Sequence, residues 1–169
     1  MNKIHWPEGK SFAFTVFDDT DRTTIQNGPP VYDLLYDLGF RTTKSVWPVK
    51  GALQARTGGT TCEDADYLAW VLKLQSLGFE IALHNVTYHT SPRPEIILGL
   101  EQYKAYFGAY PNIHVNHTGC YDGIYWGDAR LSGFNQFIYN VLTRFKNHGK
   151  FQGHQPGSDL FWGEYANKK

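Results

Sequence analysis

Several things are scarce in this sequence. Two cysteines, Cys62 and Cys120, are too few for a disulfide framework. No apolar run follows Met1-Asn2-Lys3-Ile4-His5-Trp6, so neither a signal segment nor a membrane span is expected there, and a cytoplasmic protein is the resulting expectation. Neither charge is in excess: 16 Lys and Arg offset 16 Asp and Glu, which removes the basic field that attracts nucleic acid or anionic membranes. No motif recurs at a fixed period, which excludes a solenoid. What is present is 169 residues with 41% hydrophobic and 16% aromatic content, enough for one substantial core, so residues 1–169 are expected to form a single domain.

Short apolar runs alternate with segments of helical period, the pattern of repeated βα units around a mainly parallel sheet. Strands are expected at Ser11–Phe17, Thr43–Trp47, Phe79–Leu83 and Asn112–Asn116, with a short fifth at Lys150–Gly153. Helices are expected between them, with stripes Val31, Leu34, Leu35, Leu38, then Leu68, Val71, Leu72, Gln75, then Ile96, Ile97, Leu100, Tyr103, Phe107, and last Phe134, Phe137, Ile138, Val141, Leu142, Phe145. Thr60-Thr61-Cys62-Glu63 reads as a capping box, and Gly39, Gly78, Gly108 and Gly149 as helix ends. The polar stretch Pro48–Thr61 is long enough to be a lid over one end of the sheet, or a plain exposed connection.

The chemically useful residues fall at the carboxyl ends of these strands, where the loops of a parallel sheet converge. Asp18-Asp19 follows the first strand, His84 the third, Asn116-His117 the fourth, and His154 the fifth. Adjacent aspartates leaving a strand can divide labour, one binding a cation and the other taking the proton of an attacking water. The same Asp-Asp-Thr-Asp run can instead cap a turn or, with Asp21, bind calcium. His84 and His89 can meet at one ion, or stand apart as a backbone-bonded imidazole and a surface one. Asn85-Val86-Thr87 and Asn116-His117-Thr118 match the glycosylation pattern, but each abuts a candidate histidine, and both are read as chance matches.

Thr15-Val16-Phe17-Asp18-Asp19-Thr20 resembles the Thr-Phe-Asp-Asp-Gly signature of the polysaccharide deacetylases, also called the NodB-homology or carbohydrate esterase family 4 domain. Gly78-Phe79-Glu80-Ile81-Ala82-Leu83-His84 is similar to that family's Gly-His-Glu-Ile-Gly-Asn-His run. The resemblance implies Asp18 as catalytic base and Asp19, His84 and His89 as ligands of a divalent metal, zinc first, with nickel, cobalt or iron as alternatives. It also implies a distorted (β/α) barrel of the seven-stranded type that removes N- or O-acetyl groups from a carbohydrate.

The sequence departs from the pattern in four places. His89 follows His84 by five residues rather than four, Thr20 replaces the glycine, and Asn116-His117-Thr118-Gly119-Cys120-Tyr121 stands where the family has Arg-Pro-Pro-Tyr. The base-orienting arginine is thereby missing. The late general-acid histidine has no counterpart, and the five expected strands are too few to close a barrel, so the chain is expected to lack its last strands or to be a divergent, inactive member.

Asn116, His117, Tyr121 and Trp126 are the candidate substrate contacts, since pyranose faces stack on aromatic rings while their hydroxyls need polar neighbours; His117 can instead serve as a substitute metal ligand or a structural hydrogen-bonding residue. Trp47, Tyr88 and Tyr125 extend this aromatic rim. Three functions stay open: a metal-dependent deacetylase, a catalytically silent carbohydrate-binding relative, and a metal-dependent hydrolase of another amide or ester.

Overall fold

The computed structural model describes residues 5–52 and 58–163. It is a mixed α/β structure in which, among the described residues, four α-helices accompany a three-stranded parallel sheet of order β1-β2-β3. The elements run β1 (Phe17–Asp18), α1 (Gly28–Asp37), β2 (Thr43–Val46), α2 (Ala65–Ser76), β3 (Glu80–Leu83), α3 (Arg93–Phe107) and α4 (Gly133–Leu142). Asp18 pairs with Lys44, and Val46 with Leu83. A single parallel bridge from Leu83 to His114 extends the sheet where a fourth strand is expected. The ends of β1 and β3 and the segment after His114 therefore lie along one rim.

The first strand is shorter than its apolar alternation suggests. The ladder reaches back only to the bond from Thr43 N–H to the Val16 carbonyl, because β2 begins at Thr43, just after the chain has left α1. Among the described residues, 5–15 have no ladder partner there, and Phe12 and Phe14 are exposed. Lys150–Gly153 forms no strand; Phe151 sits in the left-handed region at φ 59°, which breaks an extended run.

Helix faces also differ from the stripes. In α1, Val31, Leu34 and Leu38 are exposed while Gly28 and Tyr32 are buried. The inward row is Gly28, Tyr32 and Leu35, because the Tyr32 ring packs edge-on against Trp70 and Phe79, at 5.5 and 5.2 Å, and Gly28 lets the helix approach Trp70. In α2, Tyr67, Trp70, Val71 and Leu74 are buried and Leu72 is exposed. Asp64 caps this helix rather than Thr60: its Oδ1 accepts from Tyr67 N–H at 2.9 Å, while Glu63 is drawn off to the Lys50 amide at 2.8 Å. α3 buries Ile96, Leu100 and Tyr103 of its expected stripe, leaves Ile97 exposed and Phe107 half-buried, and ends at Gly108 with φ 83°. On α4 only Gln136's neighbour across the turn, Asn140, is buried; Phe134, Phe137, Ile138, Val141 and Leu142 are exposed.

The core lies between the sheet and helices α2 and α3, built from Val46, Val71, Leu74, Ile81, Leu83, Val86, Ile96 and Leu100. Burying each such side chain contributes roughly 1.5–3 kcal/mol. The middle of the expected lid, residues 53–57, lies outside the described residues. No helix among the described residues is long and apolar enough to cross a membrane.

Candidate metal centre

The rim is assembled by backbone geometry. Beyond β1, Asp19 Oδ1 accepts from the Asp21 amide at 3.1 Å, so the chain turns and presents both carboxylates together. Beyond β3, His84 is held by its amide on the Val46 carbonyl at 3.1 Å. Asn85 follows in a left-handed conformation, φ 51°, fully buried. Its Oδ1 accepts from the His117 amide at 3.0 Å and lies 3.0 Å from His114 Nε2, while its Nδ2 donates to Asp122 at 3.1 Å. Asn85 thus ties the end of β3 to the segment carrying His117.

Asp21, His84 and His117 each offer one ligand atom, and these atoms lie within 4.8 Å of one another. Nδ1 of His84 is 3.2 Å from the Val115 carbonyl, which only accepts, so the proton sits on Nδ1 and the lone pair on Nε2. Among the described residues, that buried Nε2 has no hydrogen-bond partner, and it lies 3.2 Å from Asp19 Oδ1. Burial holds the His84 pKa below its ordinary value, against the opposing pull of the Asp19 charge, which keeps the ring neutral and its lone pair available. His117 Nε2 is 3.2 Å from Asp21 Oδ1, and its Nδ1 faces Cys120 Sγ at 3.3 Å. Burial pushes the Cys120 thiol up to about 12, so it stays a neutral thiol whose sulfur can accept the Nδ1–H, the tautomer that leaves the His117 Nε2 lone pair free. The two imidazoles meet edge-on at 5.0 Å, and the buried Trp47 ring walls both, 6.2 Å from His84 and 5.7 Å from His117.

Two imidazole nitrogens and a carboxylate oxygen are the donor set that zinc takes at ~2.0–2.2 Å, which spaces donors by roughly 3.3 Å in a tetrahedron. A buried lone pair with no proton to accept, facing two carboxylates and a second imidazole, fits such a cation. Asp19 is close enough to His84 to add a fourth donor.

Asp18 turns differently. Its Oδ2 receives Lys44 Nζ at 2.8 Å and the Tyr32 hydroxyl at 2.9 Å. Burial lowers the Lys44 pKa, the Asp18 charge opposing it, and raises that of Tyr32, with Asp18 adding to the rise. Asp18, Asp19, Asp21 and Tyr32 share a cleft of about 310 Å³.

Of the residues singled out in the sequence, Asp18, Asp19, His84 and His117 are brought to one rim, and His89 is not among the clustered donors. His89 Nδ1 bonds the Thr90 carbonyl at 2.9 Å and its Nε2 faces Glu95 at 3.9 Å. A turn in which the Thr87 hydroxyl donates to the His89 carbonyl at 2.9 Å holds it there. Asn116 spends its amide on Ile124, donating to its carbonyl and accepting its N–H at 2.8 Å each. Tyr121 and Trp126 are exposed, Trp126 stacked on Phe151 at 5.5 Å. His154 accepts from the Tyr125 amide at 3.1 Å. From the sequence, Asp21 is expected only as a turn or calcium residue. The sequence marks Asn85 only as part of a chance glycosylation match and gives no signal at Tyr32, whereas a lysine inside an otherwise uncharged strand, Lys44, is itself a signal for a buried partner.

No family model matches the chain, and neither a curated protein nor a solved structure matches it.

Proposed function

We propose that this chain is a metal-dependent hydrolase that removes acetyl groups from a carbohydrate, with its cation held by Asp21, His84 and His117 beside Asp19. The observation that carries the proposal is the buried, unprotonated Nε2 of His84 facing Asp19 and the Asp21–His117 pair. When bound, a divalent cation supplies Lewis acidity toward a carbonyl oxygen and makes a water easier to deprotonate. The protein does the rest. The Val115 carbonyl orients His84, Asn85 holds the His117 amide, and Asp18, which lines one cleft with Asp19 and Asp21, takes the proton of the attacking water. Tyr121 and Trp126 supply exposed rings on which a sugar can stack. The two motifs at β1 and β3 support reading the parallel sheet as part of a distorted (β/α) barrel.

The test is a zinc titration of the full chain followed by acetate release from N-acetylated and O-acetylated oligosaccharides. Zinc-dependent acetate release supports the proposal. Glycan binding without zinc binding points to the silent relative, and zinc binding with hydrolysis of other amides or esters alone points to a different substrate.

A further inference from the structure

Lys44 is fully buried on β2, an expensive place for an ammonium group unless its charge is matched. Its three N–H bonds find three acceptors, Asp18 Oδ2 at 2.8 Å, Thr20 Oγ1 at 3.3 Å and Thr23 Oγ1 at 3.4 Å, all in the segment that also carries Asp19 and Asp21. The parallel register sets Lys44 directly beside Asp18. The Tyr32 hydroxyl reaches the same Oδ2 from α1, its ring locked against Trp70 and Phe79. Both anchors fall on one oxygen, Oδ2, of a carboxylate that lines the cleft, and neither occupies Oδ1.

We infer that Lys44 and Tyr32 are a positioning pair that clamps Oδ2 of Asp18 and so aims Oδ1 at the water to be deprotonated. This rests on the hydrolase reading, in which Asp18 is the base. The pair does, from β2 and α1, what the missing arginine would do from the segment after His114. A clamp on the base acts on turnover and leaves the cation's ligands alone, which separates it from a general structural role.

The full-length chain carrying Lys44→Met, and separately Tyr32→Phe, is measured for zinc affinity by calorimetry and for zinc-dependent acetate release. With K44M, kcat is expected to fall ~100-fold or more, the scale of a lost general base, while KM and zinc affinity stay near wild type. With Y32F, which keeps the packed ring, kcat is expected to fall roughly tenfold, the scale of one hydrogen bond to a charged group. In an Asp18→Asn background neither change should cost anything further, because all three act through one carboxylate. Unchanged kcat in Y32F, or losses that add fully to that of D18N, overturns the inference while leaving the hydrolase reading standing. A wild-type chain that binds zinc and hydrolyses nothing overturns the hydrolase reading itself. A crystal structure of Y32F then decides the clamp alone: an Asp18 carboxylate rotated from its wild-type position supports it, and an unmoved one contradicts it.

Discussion

His84 and Asp21 each offer a ligand atom to one cluster with His117, although the two residues follow different strands, 63 positions apart in the chain (84 − 21). The parallel sheet brings them together: β1 and β3 flank β2, and the turn at Asp19–Asp21 and the left-handed Asn85 fold both donors over the rim.

The ligand assignment predicts a sharp contrast. His117→Ala and Asp21→Ala should each weaken zinc binding at least ~100-fold, at or beyond the upper end of what loss of a supporting contact costs. His89→Ala should leave zinc affinity unchanged, because His89 faces Glu95 and Thr90 instead. Calorimetry on the three variants checks this, and a zinc affinity that depends on His89 but not on His117 would reverse the assignment.

Asn85 should matter to both stability and metal. Asn85→Ala removes buried bonds to the His117 amide and Asp122 and forces an alanine to adopt φ 51°, so unfolding should be easier by ~2–4 kcal/mol and zinc affinity lower by ~10–100-fold. Asn85→Gly relieves only the backbone part. Urea denaturation should therefore place the glycine variant between alanine and wild type, and equal losses in both variants would leave the left-handed conformation without energetic weight.

Asp122 gives the fold a pH dependence. Burial pushes its carboxyl from 3.8 up to about 7, against lowering hydrogen bonds that include the Asn85 amide. The folded chain therefore keeps a proton that the unfolded chain releases once pH rises past about 4. This contribution to stability is whole below that pH, shrinks as pH climbs and is gone above about 7. The integrated effect is on the order of 4 kcal/mol. Asp122→Asn should flatten this slope, and urea unfolding from pH 4 to 8 on both proteins measures the difference. Parallel curves would show that Asp122 titrates normally.

The outward face of α4 should tolerate charge. Phe134 and Leu142 are 74% and 77% exposed, so Phe134→Lys and Leu142→Lys are expected to change stability by no more than about 0.5 kcal/mol. A loss of several kcal/mol in denaturant titrations would mean that this face is packed, as its periodicity suggests.

The contrast on α4 shows what a sequence can and cannot convey. Periodicity located all four helices, because an i, i+3, i+4 pattern is a property of the helix itself. It could not say which face packs, since that depends on partners: on α1 one tyrosine with Trp70, Phe79 and Asp18 to reach outweighs Val31, Leu34 and Leu38. The same holds at the site. Asp18, Asp19 and His84 stand directly at strand ends and are visible from topology and motif. Asp21 and His117 join through a local turn and through a bond from Asn85, and neither geometry is written in spacing alone. His89 shows the converse, a histidine at nearly the right distance along the chain that a threonine turn directs elsewhere.

The measurement that bears most directly on the account is anomalous diffraction at the zinc edge from crystals of the zinc-loaded chain. One ion is expected within ~2.0–2.2 Å of ligand atoms from Asp21, His84 and His117. An ion seated on His89, or none in a zinc-saturated crystal, would contradict it.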